Sequence, residues 1–180
     1  MGRDKALLPC RGATLLEHVA GLVEAAAGSV SLVGPRERYH RFGYSIVSDE
    51  SPDRGPLGGI ETALRHTDSD WNLIVACDMP ALPADFLRLL LDEAEIAGCE
   101  CLVPVSPAGV EPLCAVYHRQ CRPSIGEALH RGVLKVHEAV AGLRARYWEV
   151  AETAWFLNVN TPEDWAHYCA TCAGLACRRR

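Results

Sequence analysis

The sequence predicts an α/β domain built around a mainly parallel sheet covered on both faces. Three observations carry this expectation. Short apolar runs rich in β-branched residues alternate with segments of helical periodicity. The most continuous run, Asn72-Leu-Ile-Val-Ala-Cys77, leads straight into Asp78-Met-Pro80, as a strand buried on both faces does when it ends at a polar turn. The glycine-rich segment Gly55-Pro-Leu-Gly-Gly-Ile60 opens a helical pattern that runs through Leu64.

Taken in order, the first helix is expected from Thr14 to Ala27, with Leu15, Leu16, Val19, Leu22 and Val23 on one stripe. Thr14 and Glu17 have the spacing of a capping box, and Gly28 is a natural stop. Strands are expected at 29–33, 44–47, 72–77, 101–105, 113–117 and 154–157. Further helices are expected at 83–97, 124–130 and 136–140. A last helix opens at Thr161-Pro-Glu-Asp-Trp165, with a threonine cap, a proline and two acids in the first turn. The segment ahead of residue 14 reads as polar and strandless. No repeat or long linker divides the chain, so residues 1–180 read as one domain.

Composition narrows the function. The chain is 49% hydrophobic and 23% charged with a net charge of −5, and its one basic block is Arg178-Arg179-Arg180. That balance argues against a nucleic-acid partner, which calls for a basic stripe. No apolar stretch approaches the roughly 18 residues of a membrane span, and the start does not resemble a signal peptide. A cytoplasmic protein with no membrane partner is expected. In that setting the nine cysteines are expected to be reduced thiols, with Cys10, Cys77 and Cys114 inside apolar runs. His167, Cys169, Cys172 and Cys177 have ligand types at zinc-like spacing, but a single CxxC reads better as thiols on a terminal helix.

Four places carry candidate chemistry. Asp78 lies beyond the carboxyl end of a buried strand, where ligands of open α/β sheets bind, and Pro80 keeps helix from starting at Met79. A carboxylate there suits a hard divalent cation held against phosphate, and it equally suits an ordinary helix cap. Gly55 to Gly59 either lets a backbone approach an anionic ligand or forms a plain turn. Asp49 follows another strand, placed to accept from a ribose or base, or to shape the turn before Pro52. Asn158 and Asn160 fall on one side of an extended segment, as neutral ligands or as turn asparagines. Lys5 is either a solvated cation or a phosphate-binding ammonium.

Met1-Gly-Arg-Asp-Lys-Ala-Leu-Leu-Pro9, Gly55-Pro-Leu-Gly-Gly59, Cys77-Asp-Met-Pro80 and Asn158-Val-Asn-Thr-Pro-Glu-Asp164 occur in this order at wide spacing. Together they resemble the MobA-like nucleotidyltransferases, and most closely the molybdenum cofactor guanylyltransferases. The resemblance implies a three-layer, Rossmann-like nucleotidyltransferase fold. It implies transfer of GMP from GTP to molybdopterin, with release of pyrophosphate and Mg²⁺ as cofactor. Molybdoenzymes or their chaperones would receive the product. By position, Lys5 resembles the family's phosphate-contacting and catalytic lysine, Asp49 its nucleotide-binding aspartate, and Asp78 its catalytic, magnesium-binding aspartate. Gly58, Gly59, Asn158 and Asn160 match substrate-side positions, with Asn160 near the metal. Gly34 stands where many members carry an asparagine that helps bind guanosine. The family's opening strand and glycine-rich loop, of the form Leu-Ala-Gly-Gly ending in Arg-Met-Gly, would precede Gly2. The expectation is therefore an N-terminally incomplete domain. A cytidylyltransferase, or a silent binding protein that keeps the sheet, are the alternatives. Relatives of the cytidylyl type look different, with aspartates in place of Asn158 and Asn160 and no Gly-Pro-Leu-Gly-Gly segment.

Overall fold

The structure, a computed structural model, describes the backbone of residues 4–177 and their side chains other than those of residues 52, 162 and 171–177. It opens with a 3₁₀ turn at Lys5–Leu7 and a two-stranded antiparallel hairpin, β1 (Pro9–Cys10) and β2 (Ala13–Thr14). The hairpin was not foreseen in the polar start. Its turn holds Arg11 at φ 50° and Gly12 at φ 87°, a left-handed bend that Gly12 adopts without cost. Then α1 (Leu15–Ala27) begins on the expected capping box. Thr14 Oγ1 accepts from the Glu17 amide, while the Glu17 carboxylate accepts from the Thr14 amide at 2.9 Å.

Two short parallel strands follow, β3 (Ser31–Val33) and β4 (Ser45–Val47), joined through α2 (Arg36–Tyr39). After α3 (Gly55–Arg65) comes β5 (Trp71–Val75), then α4 (Ala84–Ile96), β6 (Cys101–Ser106), β7 (Gly109–Val110) and β8 (Cys114–His118). The chain finishes with α5 (Arg122–His130), α6 (Val136–Val140), β9 (Ala145–Glu149) and α7 (Pro162–Cys177). In the five-stranded sheet β8 pairs antiparallel with both β5 and β6, while β9 pairs parallel with β6. So β5, β6 and β9 share one direction, as expected of a mainly parallel sheet, with β8 inserted against them.

Alternation along the strands explains the three layers. On β8, Ala115 and Tyr117 pack with α3, α5 and α6, whereas Cys114 and Val116 pack with α4 and Ala26 of α1. On β6, Cys101 and Val103 take the first face and Leu102 the second. Six of these residues are 0% exposed and Leu102 is 1% exposed, which is why both strands read as unbroken apolar runs. A third cluster joins Cys10, Leu15 and Val19 to Val159 and Tyr168, and ties the start of the chain to α7.

One expected strand needs correction, and one strand was missed. Residues 154–157 were read as a strand, but Thr153–Phe156 is a 3₁₀ turn that buries Phe156. The strand of that region is β9, upstream, which was not foreseen. Its pattern of mostly exposed residues lacks the apolar run of a buried strand. The side chains of Cys172 and Cys177 lie outside the described residues. Among the described residues no helix is long and apolar enough to cross a membrane.

No hydrogen-bonded ladder joins the β3–β4 pair to the larger sheet among the described residues. Between them lies a cavity of ≈ 420 Å³, walled by Val30–Val33 on one side and Leu73–Cys77 on the other, with Leu16, Val19, Ile60 and Ala63 above and below.

Candidate active site

Asp78 sits three residues past β5, on a turn closed by the Met79 amide donating to the Ala76 carbonyl at 3.4 Å. The exit is thus a turn, with no helix starting at Met79, and it is pinned from three directions. The Val159 amide donates to the Asp78 carbonyl at 2.8 Å. The Pro80 carbonyl lies 2.9 Å from His18 Nε2 on α1 and accepts the Tyr168 hydroxyl of α7 at 3.2 Å. Met79 fills the core beneath at 2% exposure. A carboxylate so fixed keeps its direction when a ligand arrives.

The carboxylate is unevenly satisfied. Its Oδ2 accepts from Lys5 Nζ at 2.5 Å. Its Oδ1, among the described residues, is a buried side-chain oxygen with no hydrogen-bond partner. A buried, unsatisfied carboxylate oxygen carries an appreciable desolvation cost, and it persists where a function uses it. Lys5 Nζ also donates to Asn160 Oδ1 at 2.8 Å, so three residues far apart in sequence converge. The Asn160 backbone is itself fixed, because Asp164 Oδ2 accepts from the Asn160 and Thr161 amides at 3.0 and 2.8 Å. Those bonds hold the Asp164 carboxyl below the usual carboxylate range.

The cavity between β3 and β5 ends at this cluster, where Lys5, Tyr39, Pro56, Gly59 and Asp78 border it. A second cavity of ≈ 380 Å³ opens beside it, bordered by Pro56, Met79, Glu111, Lys135, His137 and Asn158. The first turn of α3 therefore stands between two cavities. Gly55 there has φ 59°, and no side chain caps the helix start, so amides remain for an anion. Lys135, just before α6, and His137, on it, border the second cavity, and the Lys135 ammonium lies 3.1 Å from Glu138 Oε1. Burial pushes the Glu111 carboxyl up, countered in part by the Ser106 hydroxyl, which donates at 2.8 Å.

Of the residues singled out from the sequence, Lys5, Asp78 and Asn160 meet, and Gly59 borders the same cavity. Asn158 borders the second one. Gly58 is spent on packing: a β-carbon there would lie 2.6 Å from the Ser51 carbonyl oxygen. Asp49 does not border the cavity of Asp78. Its Oδ1 accepts from the Ser51 amide at 2.9 Å and from Thr62 Oγ1 at 3.4 Å, tying β4 to α3. Gly34, at φ 159°, faces the ring of Tyr39. Sequence reasoning missed Asp4, Tyr39, Glu111, Lys135 and His137. Asp4 lies inside the Met1–Pro9 motif without having been singled out there, and the other four belong to no spaced motif and reach the site only through the fold.

Asp78 and Asn160 offer oxygen atoms, one carboxylate and one amide, and the unpartnered Asp78 Oδ1 is free to ligate. Magnesium is commonly held by one or two carboxylates together with substrate phosphates and water, so these residues fit it.

Comparison with known proteins agrees with this geometry. Residues 1–147 match the MobA-like NTP transferase domain. A probable molybdenum cofactor guanylyltransferase of Nostoc sp. is 33% identical over 172 residues, covering 92% of this chain and 83% of that protein. A molybdenum cofactor guanylyltransferase of Shewanella sp. is 32% identical over 167 residues, 91% of this chain and 85% of that protein. The crystal structure of molybdopterin-guanine dinucleotide biosynthesis protein A from Archaeoglobus fulgidus superposes with a TM-score of 0.82 at 26% identity, covering 96% of this chain and 92% of that one. With a carboxylate, a lysine and an asparagine converging between two cavities on this fold, the chain belongs to the MobA-like NTP transferase family and is a nucleotidyltransferase.

Proposed function

We propose that this protein transfers GMP from GTP to molybdopterin, forming the guanine dinucleotide cofactor and pyrophosphate. A phosphate oxygen of the pterin attacks the α-phosphorus of GTP. The bond to the bridging oxygen breaks, and pyrophosphate leaves with those electrons. The observation that carries the reading is the half-satisfied Asp78 carboxylate beside Lys5 and Asn160, set between two cavities. One cavity suits the nucleotide and the other the acceptor, whose phosphate Lys135 would attract and His137 would border. Such chemistry rests on positioning and charge neutralisation rather than on a covalent nucleophile. Lys5 orients the triphosphate, and the first turn of α3 stands close to both substrates through Pro56, with Gly59 on the side of the first cavity. Mg²⁺, held by Asp78 and Asn160, would supply charge stabilisation between triphosphate and acceptor. Asn158 serves the acceptor side, while Asp49 and Gly58 act from outside the two cavities, Asp49 by tying β4 to α3 and Gly58 by letting the Ser51 carbonyl approach the helix.

Residues 1–180 act as one domain in the cytoplasm. The product passes to molybdoenzymes or their chaperones. Guanosine over cytidine rests on Gly55 to Gly59 and on the Asn158 and Asn160 pair. Titration with Mg·GTP, Mg·CTP and free pterin, followed by the ratio of kcat/KM for the two nucleotides, tests this. Tight GTP binding with a higher kcat/KM is expected. A preference for CTP would transfer the reading to a cytidylyltransferase, and pterin binding without nucleotide would make it a silent binding protein.

A further inference from the structure

Lys5 is the cation of the site, yet it stands on a three-residue 3₁₀ turn, an element too short to hold its own shape. What holds it is Asp4. The Asp4 carboxylate divides its two oxygens: Oδ1 accepts from the Ala6 amide at 3.1 Å and caps the turn, while Oδ2 accepts the Tyr39 hydroxyl at 2.9 Å. Arg38 Nη1 stands 3.7 Å from the same Oδ2. Tyr39 ends α2, and its ring lies against Gly34, with Cε2 3.4 Å from where a glycine β-carbon would be. That ring borders the cavity along with Lys5 and Asp78.

We propose that Asp4 is a positioning residue for Lys5, acting through a carboxylate clamp that the Tyr39 hydroxyl closes, so that the loop after β3 sets the phosphate-binding cation. The proposal rests on the reading of Lys5 as the phosphate ligand. The turn supplies the register, the clamp fixes the turn, and Lys5 then reaches both Asp78 and Asn160. Without the clamp the ammonium must be ordered anew at each binding event, which weakens nucleotide binding more than turnover.

The experiment is a double-mutant cycle on nucleotide affinity and kinetics in the full chain. Asp4→Ala and Tyr39→Phe are each expected to raise the nucleotide KM roughly tenfold, the scale of one hydrogen bond to a charged group, with kcat falling much less. Asp4→Asn, which keeps an oxygen for the clamp, should recover part of the loss. In a Lys5→Ala background the Asp4 and Tyr39 effects should vanish, because their target is gone. Additive effects in that background would overturn the proposal, since a merely structural role does not depend on Lys5. Lys5 side-chain order, measured by NMR relaxation without nucleotide, gives an independent readout: equal order in the wild type and Tyr39→Phe would also overturn it. Wild-type protein that binds neither Mg·GTP nor Mg·CTP would sink the substrate reading instead, leaving the clamp to be judged by Lys5 order.

Discussion

At Asp78 the molecule gives up stability for a poised ligand. One carboxylate oxygen is ion-paired and the other is buried without a donor, so removing the charge relieves a cost as well as breaking a pair. Asp78→Asn is therefore expected to lower turnover by roughly 100-fold or more, with a melting temperature near that of the wild type. Wild-type turnover across a magnesium titration would refute its role. The neighbouring thiol tells the same electrostatic story. Burial, and then the Asp78 charge, push the Cys77 thiol up to about 11. At about pH 8 it is neutral and a poor nucleophile, so mass-spectrometric alkylation should label the exposed Cys169 well before Cys77. Tyr39 is shifted in the same direction, first by burial and then by its bond to Asp4, to about 12. A raised folded-state value favours the neutral phenol. The associated stability is therefore complete below the ordinary tyrosine value of about 10 and is lost as pH rises from there through about 12. Ultraviolet titration should find this phenol ionising late, and in Asp4→Ala earlier.

The first turn of α3 shows how one motif divides its labour. Gly58→Ala would force a β-carbon to 2.6 Å from the Ser51 carbonyl, with the Arg54 and Ser51 β-carbons at 3.0 and 3.1 Å. A loss of about 1–3 kcal/mol is expected, read as a lower denaturant midpoint. Gly59→Ala meets nothing within 4 Å. There a gain of up to about 1 kcal/mol from helix propensity should accompany weaker ligand binding, because the methyl enters the cavity. The sequence announced this turn by its glycines, though not which glycine was packing and which was open, since the Ser51 carbonyl approaches only in the fold. Legibility elsewhere followed the same division. The helix α1 was readable from Thr14 and Glu17 because capping is local. The run at 154–157 misled because four apolar residues fit a strand and a 3₁₀ turn equally well. The direction of β8 was invisible, because it depends on pairing with β5 and β6 across the chain. Lys5, Asp78 and Asn160 were legible as members of motifs, whereas the clamp of Asp4 on Tyr39 joins residues that no local rule connects.

On the scale of the whole molecule, β3 and β5 face each other across a cavity instead of sharing a ladder. Unpaired strand edges with apolar walls favour self-association. The same divide has a consequence for how the protein opens. Amides of β6 and β8 lie in a ladder flanked on both sides and covered by helices, so their exchange with solvent deuterium should report global unfolding. Among the described residues, β3 and β4 pair only with each other. Their amides should exchange sooner and as a separate cooperative unit, carrying Gly34 and Tyr39 with them, so that the β3 side of the cavity breathes while the sheet beneath Asp78 stays closed.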